Sequence, residues 1–193
     1  MKICLFGSAS DKIDPIYIRK TEELGYALAK RGHSLVFGGG GKGLMGAAAR
    51  GFKKGGAEIC GVIPRFFSDE NIETAFSDCT ELILCDTMNE RKQIMEDLAD
   101  AFLITPGGIG TFDEFFEVLT NKQLGRHEKP IALYNIEGFF NELEAAMYSA
   151  TNKRFIKANC RMLYMIFTDP DEMTGYIEHI QLLGLRPSDL KDG

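Results

Sequence analysis

Ala101-Phe102-Leu103-Ile104-Thr105-Pro106-Gly107-Gly108-Ile109-Gly110-Thr111-Phe112-Asp113-Glu114 passes from an unbroken apolar run, through a glycine-rich turn, into a segment with helical spacing. An apolar run without polar alternation is expected of a strand covered on both faces, as in a parallel sheet. Working outward, the same kind of run recurs at Ile3–Phe6, Leu35–Phe37, Ile59–Ile63, Leu82–Cys85, Ile131–Tyr134 and Leu163–Phe167. Most are separated by helical stretches. The first of these opens with Asp14-Pro15, a capping residue followed by a proline suited to the first helical position. It places Tyr17, Thr21, Leu24 and Leu28 on one face and ends near Gly32. This alternation predicts a Rossmann-like, doubly wound α/β fold: a mostly parallel sheet with helices on both faces.

A chain of 193 residues suits one domain, 1–193, with 184–193 read as a loose tail. The main irregular stretch is Arg65–Thr80, polar and strand-poor, and loops of that length are frequently functional. The net charge of −6 and pI of about 5.2, without a basic stripe, argue against extended nucleic-acid binding. No apolar stretch is long enough to span a membrane. The chain enters a strand at Lys2-Ile3-Cys4-Leu5-Phe6, which leaves no room for a signal peptide. The five cysteines contain no Cys-x-x-Cys pair, and Cys4 and Cys60 sit in strand-like runs. That is the usage of a reduced, cytoplasmic protein. His33, His127 and His179 are scattered and give no metal-site spacing, so no metal is expected.

Ligands of open parallel sheets bind beyond the carboxyl ends of the strands. Three glycine-containing turns fall there: Gly7-Ser8, the run Gly38–Gly46, and Pro106–Gly110. Glycine lets backbone approach a ligand, and the N–H groups of the following helix favour an anion such as phosphate. Tight turns also need glycine for geometry alone, and a single turn of this kind leaves the two readings level. Two in one small domain favour anion binding. The candidate substrate contacts are Gly7, Ser8, Gly40, Gly43, Met45, Gly107, Gly108, Ile109, Gly110 and Thr111. Neither long turn is a Walker loop, because no Gly-Lys-Ser/Thr closes it. A dinucleotide fingerprint would follow the first strand, where Gly7-Ser8-Ala9-Ser10 stands instead, so NAD is not expected.

Thr87-Met88-Asn89-Glu90 reads as a capping box. Arg91 then shares a helix face with Ile94, Met95 and Leu98 and points inward. An inward guanidinium needs an anion: a core carboxylate, a ligand, or a stem that reaches back to water. Lys92 faces solvent on this spacing. Thr111–Glu114 reads as a second capping box, with Phe112, Phe115, Phe116 and Leu119 forming the apolar stripe and Glu114 beside it. Glu114 either caps the helix or, following a phosphate-suited turn, acts on bound ribose by stabilising an oxocarbenium-like centre or activating water. The excess of phenylalanine on this helix is core or a homodimer interface.

These elements resemble the LONELY GUY family of cytokinin riboside 5′-monophosphate phosphoribohydrolases. Pro106–Glu114 is similar to its Pro-Gly-Gly-x-Gly-Thr-x-x-Glu signature. Gly38–Gly46 is similar to its Gly-Gly-Gly-x-x-Gly-Leu-Met-Gly turn, and Met88–Lys92 to its Met-x-x-Arg-Lys element. The likeness continues through Gln123-Leu124-Gly125 and Lys129-Pro130. It implies a Rossmann-like fold, a homodimer, no cofactor, and release of free base and ribose 5-phosphate from AMP or a cytokinin riboside monophosphate. It implies catalytic roles for Arg91 and Glu114 and ligand contacts by Lys92, Gly107–Thr111 and Thr120, with an acidic base contact near Glu70. Asn89 stands where the family often has His, and Phe6-Gly7-Ser8-Ala9 where it commonly has Cys-Gly-Ser-Ser. The lysine decarboxylase label given to some members does not suit this sequence, which has no His-Lys pair or comparable pyridoxal phosphate motif. The competing readings are a nucleotide-binding carrier or sensor on the same scaffold, and a transferase acting on a sugar phosphate.

Overall fold

The computed structural model describes residues 1–70, 74–179 and 184–190. Seven strands form one sheet: β1 (Lys2–Phe6), β2 (Ser34–Phe37), β3 (Ile59–Pro64), β4 (Glu81–Cys85), β5 (Ala101–Ile104), β6 (Ile131–Tyr134) and β7 (Met165–Phe167). Each coincides with one of the apolar runs. The order is β4-β3-β2-β1-β5-β6-β7 and every pairing is parallel. The winding therefore reverses at β1, and the crevice between the carboxyl ends of β1 and β5 is the topological switch point.

Successive strand residues point to opposite faces, which divides the core in two. On one face Leu5, Phe37 and Leu103 pack under α1 (Pro15–Lys30), α2 (Gly43–Gly55) and α7 (Pro170–Glu178). On the other, Phe6, Phe102 and Leu133 pack under α4 (Met88–Leu98), α5 (Ile109–Gln123) and α6 (Asn141–Asn152). Helix α1 starts as its sequence predicts: Pro15 is at the first position and Asp14 Oδ1 accepts from Ile16 N at 3.0 Å. Thr21, Leu24 and Leu28 are buried, and Gly32 follows the helix with φ +84°. Helices α1 and α2 lie so close that a Cβ at Gly51 would stand 2.2 Å from Glu22 O.

Four local expectations change. The 65–80 stretch is not wholly irregular, since Arg65–Asp69 forms a short helix, α3, and Ala75 bridges to Gly40. Strand β4 is an edge rather than a covered strand, and Leu82 and Leu84 are exposed on it. Helix α5 has no capping box at Thr111–Glu114: its N-cap is Gly108, without a side-chain cap. The loose tail is anchored within 184–190. Leu190, on α8 (Pro187–Leu190), is buried, and its carbonyl accepts from Gln123 Nε2 at 3.1 Å and Cys160 Sγ at 3.2 Å. An apolar side chain with core to cover holds this segment down where glycine and polar composition pointed to freedom.

Candidate active site

The ends of β1 and β5 are stitched together by Ser8 N donating to Pro106 O at 3.0 Å. Gly7 is required for this approach, because a Cβ there would lie 2.2 Å from Thr105 Oγ1. The third wall is the turn after β2. Leu44 N donates to Ser8 O at 2.7 Å and Gly43 N to Asp11 Oδ1 at 2.7 Å. Gly43 has φ +57°, and a Cβ on it would meet Ser8 O at 2.2 Å.

These contacts separate the two glycine-rich turns. The first N–H groups of α2 are engaged by Asp11 and Ser8, so that helix end is closed by the chain itself. At α5 the earliest helical acceptor bond is Phe112 N to Gly108 O at 3.1 Å. No acceptor among the described residues takes the N–H groups of Ile109, Gly110 or Thr111. A Cβ at Gly108 or Gly110 would meet nothing within 4 Å. Helix α5 thus opens on free donors, its positive dipole end and vacant space, the requirements of an anion site.

Above this helix end lies a 510 Å³ cavity. Of the residues predicted from sequence, Gly7, Ser8, Met45, Arg91, Gly108, Gly110, Thr111 and Glu114 line it. Gly40 and Gly43 do not: the first bridges to Ala75 and the second docks on Ser8. Gly107 faces an adjoining apolar cavity of 250 Å³ with Tyr17 and Phe139. Ile109 is exposed beside the cavity, and Thr120 is exposed farther along α5, outside its lining. Lys92 is neither solvent-facing nor in the lining. Its ammonium is 3.0 Å from Asp113 Oδ2 and also pairs with Glu117, tying α4 to α5. Glu70 is exposed and outside the lining, and 71–73 lie beyond the described residues. The sequence reading left open whether Lys42 touches phosphate and missed Phe67, Thr74 and Met88, and all four line the cavity. Their signals were the unspecified positions of the glycine turn, the length of the 65–80 stretch, and the first residue of the helix that carries Arg91.

Helix α4 aims Arg91. Thr87 Oγ1 accepts from Glu90 N at 3.1 Å, while Glu90 Oε2 accepts from Asp86 N at 2.8 Å, so the helix start is held at both ends of the box. The Arg91 side chain is buried and donates from Nε to Val62 O at 3.1 Å and from Nη2 to Gly38 O at 2.9 Å. The Phe67 ring centroid is 5.6 Å from its guanidinium carbon. The remaining nitrogen, Nη1, is 3.8 Å from Glu114 Oε1, an ion-pair distance too long for a hydrogen bond.

Glu114 is 8% exposed. Burial pushes its carboxyl up to about 7, against the pull of Arg91 and with a smaller push from Asp113. Burial outweighs the guanidinium, which at 3.8 Å makes no hydrogen bond to the carboxylate. A carboxyl poised near neutrality beside an anion site is the condition for proton transfer at physiological pH. All five cysteines are free, and among the described residues no cluster of His, Cys, Asp and Glu could hold a metal ion. No described helix is long and apolar enough to cross a membrane.

Fold and cavity together define a Rossmann-like α/β protein with a cleft at its switch point onto which a helix N-terminus without a side-chain cap opens. A family model described as "possible lysine decarboxylase" matches residues 45–177. A cytokinin riboside 5′-monophosphate phosphoribohydrolase of Arabidopsis thaliana is 33% identical over 177 residues, 92% of this chain and 82% of the relative. The protein of that name from Mycobacterium tuberculosis is 48% identical over 123 residues, 64% of this chain and 65% of the relative. The chain belongs to the LONELY GUY family that its motifs resemble. Among solved structures, a molybdenum cofactor binding protein of Rippkaea orientalis superimposes with a TM-score of 0.67 at 21% identity, covering 92% of this chain and 93% of the other. The molybdenum cofactor carrier protein of Chlamydomonas reinhardtii gives 0.68 at 20% identity, with 92% and 95% covered. At that identity the likeness is one of fold.

Proposed function

We propose that this chain hydrolyses the base–ribose bond of a nucleoside 5′-monophosphate, either AMP or a cytokinin riboside monophosphate, to free base and ribose 5-phosphate. The observation that carries this reading is the convergence of Arg91 and Glu114, 3.8 Å apart, in the cavity onto which α5 opens. The N–H groups of Ile109–Thr111 take the 5′-phosphate. Gly110 and Glu114 are one helical turn apart, about 6 Å of rise, so a phosphate held at Gly110 sets the ribose beside Glu114. As the base departs, positive charge grows at C1′ and the Glu114 carboxylate stabilises it. Glu114 takes a proton from water, whose oxygen bonds to C1′; the bonding electrons leave with the base, which takes up a proton from solvent, and Glu114 later returns its own proton to solvent. Arg91, fixed by Val62 and Gly38, holds Glu114 in place and presents its free edge to the substrate. The family relatives named as phosphoribohydrolases support the same reaction class.

Decarboxylation of an amino acid on pyridoxal phosphate is not supported, because the residues present do not fit that cofactor. The carboxylate lining the cavity, Glu114, faces a guanidinium and is not free to pair a pyridinium nitrogen.

Incubation of the purified protein with AMP and other monophosphates, followed by chromatography for free base and ribose 5-phosphate, tests the proposal. Wild type is expected to yield both. Glu114→Gln is expected to bind AMP and release at least about 100-fold less base. Tight binding by wild type without product would make the chain a carrier or sensor. Product formed only with an added acceptor would make it a transferase.

A further inference from the structure

Among the described residues, Lys42 and Arg91 are the cations that line the cavity, and they are not equivalent. Arg91 is buried and already engaged by Val62 O, Gly38 O and Glu114. Lys42 is exposed at the rim of the cavity, and its ammonium has no hydrogen-bond or ion-pair partner among the described residues. Lys92, the lysine that the family motif specifies, is bound to Asp113 and Glu117.

A phosphate monoester carries about 1.5 to 2 negative charges at neutral pH, whereas a helix N-terminus offers only about half a positive charge. The open end of α5 therefore leaves most of the phosphate charge uncompensated. Arg91 cannot supply the balance, since ionised Glu114 stands against it. The start of α2 cannot either, since its first N–H groups go to Asp11 and Ser8. What α2 does contribute is its N-cap residue, which is Lys42. That residue springs from backbone latched at Gly43 to Asp11, and the Ser8 loop on which the turn rests is itself bonded to Pro106 of the α5 turn.

We infer that Lys42 is the residue that reads the phosphate charge: its ammonium binds the 5′-phosphate from the β2–α2 turn while α5 binds it from below. It thereby makes the site prefer nucleoside monophosphates to nucleosides. The inference rests on the phosphoribohydrolase reading for its substrate. It is not inherited from the family turn, whose pattern leaves position 42 unspecified.

Lys42 caps α2 without a side-chain cap bond, so Lys42→Met is expected to fold normally, which a thermal melt verifies. With AMP at low salt, this variant is expected to raise KM about 10- to 100-fold, the range for loss of one charged hydrogen bond, with kcat within about threefold of wild type. The preference for AMP over adenosine in kcat/KM should fall by the same factor. KM should also lose most of its dependence on ionic strength, and Lys42→Arg should restore the wild-type behaviour. Calorimetric binding of ribose 5-phosphate to wild type and Lys42→Met provides a readout independent of turnover. If wild type cleaves no nucleotide but Lys42→Met still loses ribose 5-phosphate affinity, the reaction is wrong and the lysine's role stands. Wild-type KM for AMP and wild-type affinity for ribose 5-phosphate in Lys42→Met would overturn the inference.

Discussion

A Cβ on Gly38 would stand 1.7 Å from Nη2 of Arg91. The glycine after β2 is thus the slot through which the guanidinium reaches the Gly38 carbonyl, and not a ligand-binding glycine. Two other glycines of the same turn have different reasons to be there: a Cβ on Gly46 would stand 2.1 Å from Gly41 O, and one on Gly43 would stand 2.2 Å from Ser8 O.

Gly38→Ala should therefore behave as a mutation of Arg91. The methyl evicts the guanidinium from Val62 O and Gly38 O, breaks a buried charge-assisted pair of bonds, and costs about 2–4 kcal/mol of stability. Activity should fall by at least about 10-fold, because the Arg91–Glu114 geometry is lost. A denaturant titration and a base-release assay check the two effects. A variant with wild-type stability and turnover would mean that Arg91 has another place to sit.

Glu114 gives stability a pH dependence whose sign is fixed. Its carboxyl titrates near 7 in the folded chain and near its ordinary value of 4.5 when unfolded. Between those values the folded state keeps a proton that the unfolded state has released, so stability falls as pH rises from about 4.5 to 7 and is level above. The full loss is about 3 kcal/mol. Glu114→Gln mimics the protonated form and escapes it. The variant should match wild type near pH 4 and exceed it in unfolding free energy at pH 8. Equal stabilities at pH 8 would place the Glu114 pKa near that of an ordinary carboxyl.

The same group sets the rate profile. The proposed reaction needs the carboxylate form, so kcat should rise with pH along a limb centred near 7 and then flatten. That limb should be absent in the residual activity of Glu114→Gln. A kcat that falls through pH 7 would instead make Glu114 the acid that protonates the departing base.

The architecture was legible because burial on both faces writes itself as unbroken apolar runs, and each of the seven runs is a strand. Caps were legible where a side chain makes the cap, as at Asp14 and Thr87. They were not where backbone does, and the start of α5 was misread because Thr111 and Glu114 mimic a capping box in spacing alone. The inward aim of Arg91 followed from its apolar helix face. The direction of Lys92 did not, because the charges that hold it, Asp113 and Glu117, come from another helix and spacing carries no information about them. Whether Lys42 touches phosphate stayed open for a related reason: an N-cap after four glycines has no periodic face from which its orientation can be read.

Lys92 provides a test of how α4 and α5 are held together. Its pairing with Asp113 and Glu117 makes it a positioning residue, and its charge also lowers the pKa of Glu114. Lys92→Met should shift the kcat limb of Glu114 to higher pH and lower Tm, while KM for AMP stays within about threefold, since the ammonium is outside the cavity lining. Lys92→Arg should recover most of the limb position. A large rise in KM with an unmoved limb would return Lys92 to the substrate contacts that the family motif implies.

Helices α5 and α6 each carry an exposed aromatic side chain tied to the same buried ring system: Phe116 of α5 packs on Phe115, which in turn meets Tyr164. Tyr148 of α6 lies beneath the Arg161 guanidinium, and Arg161 and Tyr164 share Glu144. Phe116 and Tyr148 are 40% and 53% exposed, a high value for large aromatic side chains tied into one network. We expect this face to join two copies of the chain, which would also cover Phe116 on the helix that carries Glu114. Sedimentation should return twice the mass of the 21.5 kDa chain. Phe116→Asp together with Tyr148→Glu should return a folded monomer, because both side chains reach solvent and neither fills the core. A wild-type monomer at micromolar concentration, or a double variant that remains a dimer, would move the interface elsewhere or remove it.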